Sequence, residues 1–294
     1  MEPRWDSIKR IIIESDIVLE VLDARLIELS RNEEVERLVK EIKRPVIFVV
    51  NKSDLVSKQS IREQIERLKQ EGEVVFVSSE NKRSARILTS KIKQVFQKYG
   101  KRDLRKKLMG KPTPEYREAM GKIVVCVLGY PNVGKSSIIN ILAHRKKAKV
   151  SKKAGTTHGI HWIRASDEIK LIDSPGVIPL KKDDEIRYGL IGAKDTERLK
   201  DSEIVADSII KLFMKNNKKA FEDFYSIQIE KEDYDSIINQ LGKKKSFLVK
   251  GGRIDENRTA VLIVKDWQEG RLRLGIKIDK KTVFNSSYRE DSKS

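Results

Sequence analysis

The chain has 294 residues, enough for two domains, and its 62 Lys and Arg against 44 Asp and Glu give a formal net charge of +18. The apolar runs are too short to span a bilayer and residues 1–10 lack a signal-peptide core, so we expect a cytoplasmic protein that stays in the compartment where it is made. The single cysteine, Cys126, excludes an intrachain disulfide and a cysteine metal site. The basic surplus would attract polyanions such as nucleic acid, or would serve solubility alone.

Helices alternate with apolar strands in the first hundred residues. The sequence predicts strands at 17–22, 46–50 and 74–77, and helices at 8–13, 33–42, 61–70 and 85–99. Such alternation predicts a parallel sheet, which binds ligands beyond the carboxyl ends of its strands. Polar clusters follow the three strands at Asp23-Ala24-Arg25, Asn51-Lys52-Ser53-Asp54 and Ser78-Ser79-Glu80.

A phosphate-binding loop follows the next strand. Residues 100–121 form a basic, proline-bearing linker, and strand 123–128 then leads into Gly129 to Ser136 and a helix. Glycine at both ends lets the backbone turn sharply and bring its N–H groups up to a polyphosphate. Lys135 would hold the β and γ phosphates, and Ser136 would ligate Mg²⁺. The predicted phosphate contacts are Asn132, Val133, Gly134, Lys135, Ser136 and Ser137.

Two further clusters lie after the phosphate loop. Thr157, or alternatively Thr156, would close on Mg²⁺, although two threonines in a glycine-bearing loop also suit an ordinary turn. Strands predicted at 161–165 and 168–172 lead to Asp173-Ser174-Pro175-Gly176. Asp173 would bind Mg²⁺ through water and the Gly176 N–H would contact the γ phosphate, so this loop would be held only in the triphosphate state.

The cluster at 51–54 selects the base. The Asp54 carboxylate can accept hydrogen bonds from N1–H and the 2-amino group of guanine, whereas adenine would leave a buried charge unpaired. Lys52 can lay its aliphatic stem over the purine, and Asn51 can tie this loop to its neighbours. Ser78, Ser79 and Glu80 would contact guanine through backbone N–H groups. The predicted ligand is therefore GTP or GDP; ATP would require that Asp54 be misassigned.

Beyond residue 182 the pattern becomes mainly helical. One amphipathic helix or more is predicted at 203–225 and a shorter one at 234–241. A β-hairpin is predicted at 260–267 and 271–278, where Leu272, Leu274, Ile276 and Ile278 alternate strictly. The apolar side of 203–225 is predicted to carry Ile204, Val205, Ile209, Leu212, Phe213, Phe221 and Phe224. We expect domains at 1–182 and 183–294, with a polar tail after Phe284.

These clusters resemble those of translation-factor-related GTPases, but in rotated order. An ordinary GTPase begins with the phosphate loop, whereas here NKSD and the serine loop come first. That order, with Asp23-Ala24-Arg25 and Gly251 to Asp255, resembles the circularly permuted GTPases that act in assembly of the large ribosomal subunit. The resemblance implies an α/β fold with a mostly parallel six-stranded sheet, and a smaller, mainly helical C-terminal domain with a short β element. It also implies GTP hydrolysis coupled to binding and release of a large-subunit precursor.

The catalytic groups are less completely specified. Val177 stands where Ras-like enzymes place a water-orienting glutamine, and valine cannot hydrogen-bond a water molecule. The resemblance implies slow turnover stimulated by the ribosomal particle and by K⁺, with Asn132 as the K⁺ ligand. His158 or His161 would orient the water, or both are simple loop or sheet-edge residues. No histidine lies within residues 1–6, where bacterial relatives carry one. The predicted catalytic set is Lys135, Thr157, Asn132 and Gly176.

Basic stretches suggest a partner. Residues 101–111, 145–149 and 243–245 would contact rRNA phosphates, although each is also compatible with a solvated surface. We expect a monomer that binds GTP, a large-subunit precursor and rRNA, and no membrane. The alternative hypothesis is a GTP-gated RNA or protein switch outside the ribosome, with incidental hydrolysis.

Overall fold

The computed structural model describes residues 3–56, 61–78, 81, 83–100, 122–143, 161–173 and 184–274. The strands are β1 (Ile17–Asp23), β2 (Val46–Asn51), β3 (Glu73–Phe76), β4 (Ile123–Leu128), β5 (His161–Arg164) and β6 (Ile169–Asp173). The helices are α1 (Pro3–Glu14), α2 (Ile27–Ser30), α3 (Glu33–Ile42), α4 (Arg62–Glu71), α5 (Ser84–Tyr99), α6 (Lys135–Ala143), α7 (Glu185–Leu190), α8 (Ser202–Asn216), α9 (Lys218–Tyr225), α10 (Tyr234–Lys244) and α11 (Glu256–Gln268).

The six strands form one sheet in the order β3-β2-β1-β4-β6-β5. Every neighbouring pair is parallel except β5 and β6, which are antiparallel. β1 is buried along its whole length, as expected for a parallel sheet with both faces covered. The predicted mostly parallel six-stranded sheet is confirmed, and each strand lies within one residue of its predicted bounds. Cys126 is a buried thiol in β4.

The chain divides into two compact units. The first comprises Met1–Asp54 and Glu63–Lys181, and the second comprises Leu55–Arg62 and Lys182–Ser294. Leu55–Arg62, which the sequence assigned to the first domain, thus groups with the second unit. In the segments that the structure describes, no helix combines the length and apolar character that crossing a bilayer requires.

The predicted β-hairpin at 260–278 is wrong for the residues that are described. Residues 260–267 lie within α11, whose first turn is capped by Asp255: its side chain accepts a hydrogen bond from the Arg258 N–H at 2.9 Å. A short apolar run is compatible with a buried strand or a buried helix, and here the cap decides for the helix. Around this region the described β structure is one isolated antiparallel bridge, Leu248 to Ile254. Residues 275–278 lie outside the described chain.

The side chains buried on α11 follow helical spacing. They are Thr259, Ala260, Ile263, Val264, Asp266 and Trp267. Trp267 is fully buried in this unit: its ring meets Phe213 edge to face at 6.0 Å between centroids, and its Nε1 donates to the Leu190 carbonyl at 2.8 Å. Burial at intervals of three and four residues would leave a strand with apolar side chains on both faces, so the tertiary packing also favours the helix.

The helical region predicted at 203–225 divides into α8 and α9. Asn217 separates them and caps the second, because its side chain accepts from the Ala220 N–H at 3.2 Å. Five of the seven predicted apolar positions are buried, but Ile204 and Phe224 are 48% and 40% exposed. The assignment of these two side chains to the apolar side was therefore wrong.

Candidate nucleotide-binding site

The phosphate loop connects the carboxyl end of β4 to α6, which begins at Lys135. Gly129 has a φ of +145°, and a Cβ placed there would lie 2.7 Å from the Val21 carbonyl oxygen. Tyr130 and Val133 are buried and anchor the loop. Glycine is therefore required at the start of the loop by both backbone conformation and a close approach to β1.

Lys135 is buried inside this loop. Its Nζ donates to the carbonyl oxygens of Gly129 at 2.8 Å and Tyr130 at 2.6 Å. Burial lowers the pKa of Lys135 to about 8, and the negative charge of Asp173 opposes that shift. The lysine thus occupies a place where a polyphosphate would supply the counter-charge that two neutral carbonyls do not.

Asn51 joins the NKSD loop to the phosphate loop. Its Nδ2 donates to the Val133 carbonyl at 2.8 Å, across 82 residues of chain. Gly134 has a φ of +103°, and a Cβ there would lie 2.0 Å from the same Nδ2. Asn51 Oδ1 is buried and accepts no hydrogen bond from the described residues. The predicted tie between the two loops therefore exists, and Gly134 makes room for it.

Serine side chains connect the end of β2 to the chain beyond β3. The Ser53 N–H and hydroxyl both donate to the Val77 carbonyl, at 3.2 and 3.0 Å. The Ser78 N–H donates to Ser84 Oγ at 3.1 Å. These bonds hold the NKSD loop and the serine loop side by side, and Asp54 lies exposed in the 3₁₀ turn that follows.

The sequence analysis noted Asp23-Ala24-Arg25 as a polar cluster but did not predict the ion pairs at the end of β1. Asp23 pairs with Asn51 in the β1–β2 register. Its carboxylate binds the Arg25 guanidinium and also accepts from Lys52 Nζ at 2.7 Å. The signal was available only in part: Asp23 ends a predicted strand, but nothing in the sequence indicated that β1 lies beside β2.

The remaining predicted site residues fall into two groups. Asn132 lies in the phosphate loop with a φ of +59°, and Ser136 and Ser137 lie in the first turn of α6. Asp173 ends β6 and pairs with Val127 of β4, so it stands one strand away from the phosphate loop. The residues outside the described chain are Ser79, Glu80, Thr156, Thr157, His158 and Gly176.

The arrangement at this sheet edge defines a class of protein. β4, which precedes the phosphate loop, is fourth along the chain but central in the sheet. β2, which ends in the NKSD loop, precedes the phosphate loop in sequence, yet Asn51 at its end contacts that loop. A strand, glycine loop and helix with lysine at the helix start are typical of P-loop nucleotide-binding proteins, here with permuted motif order.

Comparisons with known proteins agree with this class. Residues 124–249 match the family model described as 50S ribosome-binding GTPase. An uncharacterised GTP-binding protein of Methanocaldococcus jannaschii is 34% identical over 285 residues, covering 97% of this chain and 70% of that protein. Ribosome biogenesis GTPase A of Priestia megaterium is 28% identical, over 85% of this chain and 84% of its own. The chain therefore belongs to the family of circularly permuted GTPases that includes ribosome biogenesis GTPase A.

Two solved structures share the fold. The GDP-bound structure of YlqF has a TM-score of 0.60 at 19% identity and covers 93% of this chain and 98% of its own. The GNP-bound YlqF of T. maritima has a TM-score of 0.57 at 21% identity, over 93% and 96% of the two chains. The predicted fold class is thus confirmed.

Proposed function

We propose that this protein binds GTP, hydrolyses it to GDP, and uses the nucleotide state to control binding to a precursor of the large ribosomal subunit. The observation that carries GTP binding is the hydrogen bond from Asn51 Nδ2 to the Val133 carbonyl. That bond holds the NKSD loop against the phosphate loop, so one nucleotide can reach both loops. The names of the relatives from Priestia megaterium and other organisms support the ribosomal role.

The proposed guanine contacts lie at the strand ends. Asp54 would accept from guanine N1–H and the 2-amino group, and the stem of Lys52 would cover the purine face. Ser53 and Ser78 act in support: the Ser53 hydroxyl and the Ser78 N–H are already engaged by protein atoms. Guanine contacts from the serine loop would therefore come from the backbone of Ser79 and Glu80.

The phosphates and ions would lie at the phosphate loop. Lys135 would exchange its carbonyl partners for the β and γ phosphates, beside the N–H groups of residues 132–137. Oxygen ligands suit Mg²⁺, and they would come from Ser136 in the first turn of α6 and Asp173 at the end of β6, joined by Thr157 in the triphosphate state. Bound Mg²⁺ would neutralise charge on the transferring phosphoryl group. Gly176 would sense the γ phosphate.

Finer properties follow from the family resemblance and from composition. Asn132 would bind K⁺, so we propose that K⁺ stimulates hydrolysis and that replacing KCl by NaCl reduces it. We also propose a cytoplasmic monomer whose slow turnover rises on the ribosomal particle. Contacts with rRNA would come from basic residues, among them the exposed Lys243, Lys244 and Lys245 of the second unit.

Changing the base-reading side chain tests the nucleotide assignment. Asp54→Asn is expected to lose GDP affinity by about 100-fold and to gain xanthosine diphosphate, because an amide can donate to the xanthine 2-oxygen where the carboxylate cannot. Competition against a fluorescent guanine nucleotide measures both. ATP competing as well as GTP with the native protein would contradict the assignment.

Sedimentation with ribosomal particles tests the partner. The native protein loaded with a non-hydrolysable GTP analogue is expected to comigrate with large-subunit particles, and with GDP it is expected to stay at the top of the gradient. Guanine-nucleotide binding without comigration in either state would favour a switch that acts outside the ribosome.

A further inference from the structure

The cluster around Asp23 is built more tightly than a chance surface pair. Asp23 is fully buried, and its carboxylate accepts from Arg25 Nε and the Arg25 N–H through Oδ1, both at 3.0 Å. Oδ2 accepts from Arg25 Nη2 at 2.8 Å and from Lys52 Nζ at 2.7 Å. The backbone N–H of Asp23 donates to Ser30 Oγ at 3.0 Å. The carboxylate is therefore fixed by Arg25, two residues along the chain, and by Lys52, which follows the adjacent strand β2.

The charges explain why this carboxylate remains ionised. Burial alone would raise the pKa of Asp23, but the cations of Arg25 and Lys52 hold it well below its usual range. Arg25 makes the bidentate bond and has a side chain only 1% exposed, whereas that of Lys52 is 21% exposed. Arg25 thus compensates the buried charge, and Lys52 connects it to the surface.

Lys52 needs such an anchor. Its backbone has a φ of +57°, in the left-handed region that residues other than glycine rarely adopt. A lysine stem has many rotamers, and a free ammonium would leave most of them populated. The bond to Asp23 selects the rotamers that place the ammonium at the Asp23 carboxylate.

We propose that Asp23, braced by Arg25, is a positioning residue for the base: it holds the Lys52 ammonium at 2.7 Å so that the Lys52 stem forms a fixed platform for the guanine ring. The inference rests on the guanine site proposed above. According to this proposal, the Asp23 carboxylate, which lies outside the NKSD cluster, increases the affinity for the guanine base and not the affinity for the phosphates.

The same strand offers a matched control at its other end. Asp16 immediately precedes β1, is 1% exposed, and accepts from the Val124 N–H at 2.7 Å through Oδ2. Both aspartates are buried carboxylates that tie β1 to its surroundings. Only Asp23 holds a cation of the NKSD cluster, so a merely structural role would make the two Asn variants alike.

Measuring the binding of GDP and of inorganic tripolyphosphate to the full chain separates an effect on the base from an effect on the phosphates. Asp23→Asn is expected to weaken GDP binding about 10- to 100-fold, the loss typical of a charge-assisted hydrogen bond, and to change tripolyphosphate binding less than about twofold. Asp16→Asn is expected to change neither by more than about twofold. If Asp23→Asn does not fold, Lys52→Met, which keeps an unbranched stem, is expected to give the same selective loss.

Several outcomes would overturn the proposal. They are GDP affinity unchanged in Asp23→Asn, an equal loss of GDP and tripolyphosphate, and GDP affinity unchanged in Lys52→Met. A further loss when Asp23→Asn and Lys52→Met are combined would also count against it, because both changes should remove one interaction. Failure of the native protein to bind GDP while it binds tripolyphosphate would overturn the guanine site itself, a distinct result.

Discussion

The side-chain amide of Asn32 donates a hydrogen bond to the Tyr130 hydroxyl at 2.9 Å, across 98 residues of chain. Asn32 also caps α3, since its Oδ1 accepts from the Val35 N–H at 2.9 Å, and its own N–H donates to Glu20 Oε1 at 3.0 Å. Tyr130 in turn offers its carbonyl to Lys135. One asparagine therefore joins β1, α3 and the phosphate loop.

Removing the Tyr130 hydroxyl tests how much the hydrogen bond between Asn32 and Tyr130 contributes to stability. Tyr130→Phe is expected to lower the free energy of unfolding by about 1–2 kcal/mol, because a buried amide donor loses its partner. Urea unfolding measures it. The control is Tyr99→Phe, at a tyrosine that is 56% exposed, with an expected change below about 0.5 kcal/mol. Equal midpoints for the two variants would contradict the prediction.

Adding a methyl group at Gly134 tests the contact between the two loops. Gly134→Ala is expected to weaken GDP binding more than about tenfold, because the new Cβ would lie 2.0 Å from Asn51 Nδ2 on a backbone with positive φ. Gly100→Ala is the matched control: Gly100 also has a positive φ, +74°, but nothing lies within 4 Å of the added Cβ. Its nucleotide affinity should equal that of the native protein, and a similar loss in both variants would point to backbone strain alone.

Proton uptake on nucleotide binding tests the state of Lys135. Its pKa in the free protein is about 8, and bound phosphates would raise it. Binding at pH 8 should therefore take up about half a proton, rising towards one at pH 9 and approaching zero at pH 7. Calorimetry in two buffers of different ionisation enthalpy measures this, with guanosine as a control that brings no phosphate. Uptake that does not vary with pH would contradict the prediction.

Glu20 gives a pH dependence of stability. Burial, and then the charge of Glu36, raise its pKa to about 8 from an ordinary 4.5. Between those values the folded state binds more protons than the unfolded one, so stability falls as pH rises from about 4.5 to 8. Glu20→Gln keeps an acceptor for the Asn32 N–H without the charge. It should be more stable than the native protein at pH 8 by on the order of 1–3 kcal/mol, and similar at pH 5.

Thermal unfolding across pH 5 to 9 checks this. Glu41→Gln, at an exposed glutamate of α3, removes the same charge without touching the buried carboxyl, and its profile should follow that of the native protein. A profile of Glu20→Gln that also follows the native one would show that Glu20 is not the titrating group.

The apolar pattern of the sequence predicted the secondary structure correctly where that pattern agrees with the burial seen in the folded protein. β1 to β4 were predictable because each is a short apolar run rich in β-branched residues. The run at 260–267 was not, because helix and strand both bury such a sequence, and the Asp255 cap and the packing around Trp267 chose the helix. Ile204 and Phe224 show the same limit: a helix pattern indicates a face, but neighbouring elements decide how wide the buried face is.

For the site, the sequence alone predicted the chemical groups: a glycine loop with Lys135 for phosphate, Asp54 for a base, and Asp173 for a metal ion. These groups are properties of single residues and of their near neighbours in the chain, so they can be identified from the sequence. Only the tertiary structure decided that Asn51 Nδ2 occupies the space left by Gly134 and that Asp23 holds Lys52. Such contacts depend on which strands lie side by side and in which register, and distant segments settle that only when the whole sheet packs.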